Sequence, residues 1–198
     1  MKAVILDMYG VILKETGDGF VPYVQHTFPD LKPEDIWTPW NKADIGELSS
    51  IEVFEAIGYK GDLEKIEKEY LDTIEIEEAF FQFANVITKN NKLALISNDS
   101  SRWSKYLREK FDINKYFDVI SVSGDLKIKK PDERIYQLTL EKLGCVASDC
   151  IYVDDRRYNL AAAKALGIDT ILFNSREVQY DGKSVINFKE LEIMIMDS

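Results

Sequence analysis

Several short segments of the sequence carry acidic, hydroxyl and basic side chains that together would suit phosphoryl transfer. Asp7 ends an apolar run that begins at Ala3, and Ser97 ends a similar run later in the chain. Lys130 and the pair Asp154-Asp155 follow further along. A set of this kind offers a nucleophilic carboxylate, groups that bind phosphate and ligands for a divalent cation.

Asp7 is the candidate nucleophile, because a carboxylate can attack phosphorus or an activated carbon. In open α/β sheets such chemistry lies just outside the carboxyl ends of the strands. Taken alone, Asp7 is explained more simply as an acid that caps the turn reaching Gly10. The phosphoryl-transfer hypothesis also expects a second acid at position 9, and the chain has Tyr9 there.

Ser97 and Asn98 are candidate phosphate-binding residues. The Ser97 hydroxyl and the backbone amides of Asn98 and Asp99 would face an anion at the start of a helix. An ordinary helix N-cap explains Ser97 at least as well when this segment is considered by itself.

Lys130 is the candidate positive charge of the site. Pro131 restricts the preceding residue to an extended conformation, so the Lys130 ammonium could be fixed between a nucleophilic acid and a phosphate. Lys127 and Lys129 lie close by in the sequence, and a solvated basic loop is the alternative. The proline favours Lys130 over its neighbours.

Asp154 and Asp155 form the strongest single motif. Two adjacent carboxylates at a strand end repel each other unless a positive charge lies between them. A Mg²⁺ ion held by a few carboxylates, water and a substrate phosphate fits this pair better than a solvated acidic turn does.

The segments DMYGV, LISND, KKPDERIY and YVDDRRYNLAAAKALG occur in this order and cover nearly the whole chain. Together they resemble the motifs of the haloacid dehalogenase-like hydrolase superfamily. The segment WNKADIGELSSIEVFEA also resembles the small helical cap of one subgroup. The resemblance implies that Asp7 is the nucleophile and that Ser97 and Lys130 are catalytic, phosphate-stabilising residues. It also implies Mg²⁺ near Asp7, Asp154, Asp155 and the backbone carbonyl of Tyr9.

Tyr9 departs from the pattern of the family's phosphatases, which carry an acid/base Asp at this position. A phenol has an ordinary pKa of about 10 and is a poor base at neutral pH, so turnover is expected to be slow. The family's metal-independent 2-haloacid dehalogenases have Tyr here, but their last motif lacks the paired acids seen at Asp154-Asp155. The leading hypothesis is a Mg²⁺-dependent phosphatase. The alternatives are a dehalogenase and a non-catalytic protein that binds phosphate or a partner.

The elements needed to position these residues alternate between strands and helices, which predicts a three-layer α/β fold with a parallel sheet. The family resemblance implies that this core is Rossmann-like. The stretch from 16 to 77 lacks a convincing strand and is predicted to be a helical cap inserted after the first strand. The core is then expected to comprise residues 1–15 and 78–198. The predicted strands are 3–6, 93–97, 151–153 and 170–173, with a less certain one at 119–122, and the predicted core helices are 79–89, 101–110, 133–143, 159–166 and 188–196.

Composition limits the partners that this chain is expected to bind. The formal net charge is -10, which argues against nonspecific binding to nucleic acid or to anionic membranes. No apolar run approaches the roughly 20 residues of a membrane span, and Cys145 and Cys150 have neither redox-pair nor zinc-site spacing. We therefore expect a cytoplasmic protein with reduced thiols, and the family resemblance implies a small phosphorylated metabolite as its substrate. The sequence does not predict the identity of the substrate or the oligomeric state. The candidates for lining the substrate pocket are Trp37, Trp40, Asn41 and Lys42.

Overall fold

The computed structural model describes residues 3–14, 19–175 and 177–197. Its strands are β1 (Ala3–Leu6), β2 (Lys92–Ser97), β3 (Val119–Val122), β4 (Cys150–Asp154), β5 (Asp169–Phe173) and β6 (Ser184–Val185). Its helices are α1 (Phe20–Thr27), α2 (Pro33–Asp44), α3 (Ser50–Ala56), α4 (Leu63–Thr73), α5 (Ala79–Ile87), α6 (Ser101–Lys110), α7 (Ser123–Leu126), α8 (Glu133–Leu143), α9 (Arg157–Ala165) and α10 (Phe188–Met196).

The sheet is parallel throughout, with the strand order β3-β2-β1-β4-β5-β6, so the predicted α/β fold is confirmed. Strand β1 lies in the middle, between β2 and β4. Leu6 pairs with Leu95 of β2 and with Val153 of β4, which aligns the carboxyl ends of these three strands. The residues that follow each strand therefore meet at one edge of the sheet.

Apolar side chains on the two faces of β1 explain the three layers. Val4 and Leu6 pack on one face, in the cluster that includes the α5 and α10 side chains. Ala3 and Ile5 pack on the other face, in the cluster that includes side chains of α8 and α9. The strand is buried on both faces, as the continuous apolar run in its sequence predicts.

Helices α1 to α4, here called the inserted helices, come between β1 and α5 in the chain. From residue 19 to 77 the described structure contains helices and one isolated bridge from Ile76 to Leu13, but no longer strand. The proposed boundary between residues 15 and 16 lies outside the described residues. The division into core and cap therefore stays a prediction.

An aromatic cluster attaches the inserted helices to the core helix α6. The Trp103 ring of α6 has its centroid 5.1 Å from those of Trp40 and Tyr70 and 5.2 Å from that of Phe20. Each of the three partners comes from a different inserted helix, and all four rings are at most 8% exposed. The inserted helices therefore share an apolar core with α6.

The predicted strand and core-helix boundaries were close, but strand β6 and helices α1, α2 and α7 were not predicted. Strand β6 was missed because it has only two residues and pairs at the edge of the sheet, beside β5. The helix predicted from Asn159 begins two residues earlier, at Arg157. Within the described residues, no helix is long and apolar enough to cross a membrane.

Candidate active site

Three acids converge at the carboxyl edge of the sheet and are here called the strand-end acids: Asp7, Asp154 and Asp155. Asp7 follows β1, and its backbone amide donates to the carbonyl of Val153, 2.9 Å away, which fixes it beside the end of β4. One carboxylate oxygen from each acid lies within 4.8 Å of the other two. All three side chains are buried.

Lys130 reaches into this cluster and compensates two of its charges. Its Nζ lies 2.7 Å from Asp7 Oδ1 and 2.9 Å from Asp154 Oδ2, and the residue is 3% exposed. Burial by itself would lower the pKa of Lys130, but the Asp154 and Asp7 carboxylates raise it above its usual range. The ammonium therefore remains charged. Lys127 is exposed at the end of α7, so the preference for Lys130 is consistent with the geometry.

The pKa of the Asp7 carboxyl is raised, so its ionised form depends on nearby positive charge. Burial raises its pKa well above the usual range, and repulsion from Asp154 raises it further, while Lys130 acts in the opposite direction. The backbone amide of Met8 donates to Asp7 Oδ1, 2.6 Å away. An additional cation near this carboxylate would favour its ionised, nucleophilic form.

Asp154 is held rigidly by its neighbours. Asn159 Nδ2 lies 3.1 Å from both of its carboxylate oxygens, the Arg156 amide donates to Oδ1 over 2.7 Å, and the Tyr152 hydroxyl donates to Oδ2. These contacts fix the orientation of the carboxylate that holds Lys130 in place. Asn159, whose role the sequence did not decide, thus helps to position the cluster.

Asp155 lies directly against the turn that follows Asp7. Gly10 has φ +77°, and a Cβ built on it would lie 2.8 Å from Cγ and Oδ2 of Asp155. Arg156 Nε lies 3.3 Å from Asp155 Oδ2. Glycine at position 10 therefore permits both the left-handed turn and the close approach of the Asp155 carboxylate.

Ser97 and Asn98 occupy different parts of the site. The N-cap of α6 is Ser100, whose hydroxyl accepts from the Trp103 amide, so the N-cap explanation of Ser97 is wrong. Ser97 Oγ is buried and has no hydrogen-bond partner among the described residues. Asn98 exchanges hydrogen bonds of 2.8 and 2.9 Å with the backbone of Lys130, which positions the lysine loop.

The Tyr9 hydroxyl is hydrogen-bonded to an acid outside the strand-end cluster. It donates to Asp99 Oδ2 over 3.1 Å, and Tyr9 is 7% exposed. Burial raises the pKa of Tyr9 well above its usual value, and the negative charge of Asp99 raises it further. The phenol therefore stays neutral, consistent with the expectation that Tyr9 is a poor base.

A cavity of about 320 Å³ opens beside Asp7, between the strand ends and helix α2. Of the four inserted residues predicted to line it, Trp37, Trp40 and Asn41 do so, whereas Lys42 faces a separate surface groove. The lining also includes residues that the sequence analysis did not assign to the site, among them Asp44, Lys129, Arg156 and Tyr158.

The strand-end acids fit a divalent cation of the Mg²⁺ type. Carboxylate oxygens are hard ligands, and three converge here at positions where their charges otherwise repel. Lys130 lies beside Asp7 and Asp154 and Arg156 beside Asp155, so two positive charges face three carboxylates. The site is thus compatible with the metal that the sequence motif predicts.

Comparison of the sequence with known proteins identifies a matching family. A model of haloacid dehalogenase-like hydrolases matches residues 4–173. The phosphorylated carbohydrates phosphatase of Thermotoga maritima is 28% identical over 200 residues, covering 94% of this chain and 90% of the phosphatase. A drimenol cyclase of Aspergillus calidoustus is 23% identical over 186 residues; this match covers 89% of the chain but only 35% of the cyclase.

The crystal structure of a 2-haloacid dehalogenase from Pseudomonas syringae pv. Tomato DC3000 superimposes with a TM-score of 0.72. The alignment covers 100% of this chain and 99% of that protein at 17% identity, so the likeness is one of fold. The family match spans most of the chain and includes β2, β4 and all of β1 except Ala3, the three strands that the site residues follow. The chain belongs to the haloacid dehalogenase-like hydrolases.

Proposed function

We propose that this protein is a Mg²⁺-dependent phosphatase that transfers a phosphoryl group from a small phosphorylated metabolite to Asp7 and then to water. The observation that carries the proposal is the strand-end cluster: a buried carboxylate beside a buried ammonium and two further acids. A 2-haloacid dehalogenase has no need of such a concentration of negative charge. The Thermotoga maritima relative, which covers nearly the whole chain, is named as a phosphatase.

Each residue has a defined part in this reaction. Asp7 attacks phosphorus, and Lys130, 2.7 Å away, both holds the nucleophile and faces the incoming negative charge. Ser97 Oγ supplies a buried donor without a protein partner among the described residues, and Asn98 fixes the lysine loop. Asp154 and Asp155, with Asp7 and the backbone of Tyr9, would hold Mg²⁺, which supplies charge neutralisation for the phosphate oxygens.

The cavity limits the substrate to a small molecule. Its volume of about 320 Å³ lies at the low end of ligand pockets, and Trp37 and Trp40 of α2 form part of its lining. Lys129 and Arg156 add positive charge, which suits an anionic substrate despite the acidic surface of the protein as a whole.

Phosphate release from a panel of sugar phosphates, a nucleotide and an aryl phosphate tests this proposal, with Mg²⁺ and with EDTA. We expect turnover that requires Mg²⁺ and is lost in Asp7→Asn. Halide release from a 2-haloacid in EDTA, with no phosphate release from any ester, would instead establish a dehalogenase. Binding of phosphate without release from any ester would establish a non-catalytic protein.

A further inference from the structure

A second group of acids lies beside the cavity, on the side of the inserted helices. Asp44 is the last residue of α2, and Asp99 precedes the N-cap of α6. Both border a small gap between these helices, together with Trp40 and Trp103. Asp99 is 2% exposed and accepts the hydrogen bond from Tyr9, so its carboxylate is already engaged.

Asp44 is the member of this group that faces the reaction. It lines the same cavity as Asp7, and its side chain is 10% exposed. Among the described residues, the acids that line this cavity are Asp7, Asp44 and Asp155. Asp7 and Asp155 belong to the strand-end cluster, which leaves Asp44 as the lining acid outside it.

The surroundings of Asp44 hold it in place. Lys129 Nζ lies 3.3 Å from Asp44 Oδ2 and also donates to Asn41 Oδ1 over 2.6 Å. The Trp40 indole donates a hydrogen bond to the Asp44 carboxylate. Lys129 belongs to the loop that carries Lys130, so this contact joins the inserted helix to the lysine loop. Asp44 therefore has a fixed position between the cavity and the core.

Burial gives this carboxyl an unusual affinity for protons. Burial raises the pKa of Asp44 to about 6, and Lys129 and the Trp40 hydrogen bond act in the opposite direction. The other charged or titratable groups that face it are Lys130, Asp99 and Tyr9. Its place at the C-terminus of α2 also disfavours a negative charge. Both protonation states are accessible near neutral pH, as an acid that must also act as a base requires.

We infer that Asp44 is the general acid and base of the phosphoryl transfer, supplied by an inserted helix because position 9 has no carboxyl group. The inference rests on the proposed function. As the Asp7 oxygen forms its bond to phosphorus, the bond from phosphorus to the substrate oxygen breaks, and Asp44 gives that oxygen its proton. The ionised Asp44 then accepts a proton from water as the water oxygen attacks phosphorus and the bond to Asp7 breaks. Phosphate leaves, and Asp44 is protonated again.

Three other polar groups of the cavity are unsuited to this role. The pKa of Tyr9 lies well above its usual value, and its hydroxyl proton is committed to Asp99. The guanidinium of Arg156 does not release a proton in proteins. Lys130 is held between Asp7 and Asp154, and its raised pKa opposes release of a proton.

The dependence of kcat on the leaving group distinguishes a proton donor from a residue that only binds substrate. An alkyl phosphate such as glycerol phosphate needs protonation of its departing oxygen, whereas 4-nitrophenyl phosphate needs little. In Asp44→Asn we expect kcat for the alkyl ester to fall about 100-fold or more, and kcat for the aryl ester to fall less than about tenfold. The matched control is Glu34→Gln, which removes an exposed acid from the same helix and should leave both rates unchanged.

The ratio of the two kcat values is the decisive quantity, because it does not depend on the fraction of enzyme that is folded. Should Asp44→Asn not fold, Asp44→Glu tests the same ratio, since a displaced acid should slow the alkyl ester more than the aryl ester. An unchanged ratio, or an increase in KM alone for both esters, would overturn the role of Asp44 while leaving the phosphatase intact. No phosphate release from either ester by the wild type would overturn the proposed function itself.

Discussion

Replacement of Lys130 by Met is the most informative perturbation of the site, because it removes a buried charge and keeps most of the side-chain volume. Lys130 Nζ lies 2.7 Å from Asp7 and 2.9 Å from Asp154, and all three side chains are buried. Without the ammonium, both carboxylates remain buried and lose their shared cation. The variant should therefore be strongly destabilised.

The expected size of the effect follows from the burial of the pair. Removing one partner of a buried ion pair costs about 3–5 kcal/mol in the free energy of unfolding. With an m value of about 2 kcal/mol/M, the urea midpoint in EDTA should fall by about 1.5–2.5 M. Mg²⁺ should recover part of this loss, because a ligand at a hundred times its Kd adds about 2.7 kcal/mol.

The matched control is Lys127→Met, which changes an exposed lysine of the same loop region. It should alter the free energy of unfolding by no more than about 0.5 kcal/mol. Urea unfolding followed by tryptophan fluorescence measures both variants in EDTA and in Mg²⁺. Equal midpoints for the two variants would refute the reasoning, because they would show that Lys130 does not compensate buried charge.

Further variants test other parts of the structure. Asp44→Asn removes a carboxyl whose pKa in the folded protein is about 6, above the ordinary 3.8. The free energy of unfolding of the wild type should therefore fall by about 3 kcal/mol as pH rises through this interval, because the folded state has to release a proton that it binds more tightly than the unfolded state does. In urea unfolding the variant should gain stability relative to wild type from pH 4 to pH 7, and a constant difference would contradict this. Gly10→Ala should lower the Mg²⁺ affinity measured by calorimetry, because the added Cβ would contact Asp155. The control Gly58→Ala, at φ +93° in open space, should lower the free energy of unfolding without changing Mg²⁺ affinity. Equal Mg²⁺ affinities for the two variants would count against the placement of Asp155. Glu67→Ala removes a buried carboxylate that accepts from the side chains of Ser50, Arg102 and Trp103. Because the buried Ser50 and Trp103 donors lose their acceptor, the variant should lose about 2 kcal/mol or more in urea unfolding; a loss below about 1 kcal/mol would show that this network contributes little.

The sequence predicts the position of the strand-end acids well, for a physical reason. Short apolar runs followed by an acid define buried parallel strands, and parallel strands bring their carboxyl ends to one edge. The amino-acid pattern alone is therefore sufficient to predict that Asp7 and Asp154 lie close together. Pro131 likewise singles out Lys130 from two neighbouring lysines.

Local sequence patterns do not predict contacts between segments that are distant in the chain. The hydrogen bond from Tyr9 to Asp99 joins residues ninety positions apart, and neither residue indicates the other. Asp44 ends a helix whose boundaries were not predicted, so its approach to Lys129 had no local signal. Ser97 and Ser100 are both good N-cap types in one cluster, and only the backbone decides that Ser100 begins α6.

The central claim, that Asp7 accepts a phosphoryl group, is tested most directly by intact-mass analysis after a brief incubation with acetyl phosphate and Mg²⁺. We predict an added mass of one phosphoryl group, located at Asp7 by fragmentation, absent in EDTA and absent from Asp7→Asn. The adduct should persist longer in Asp44→Asn if Asp44 activates the attacking water. An unmodified Asp7 under all these conditions, together with an ester formed at Asp7 by a 2-haloacid without metal, would contradict the account.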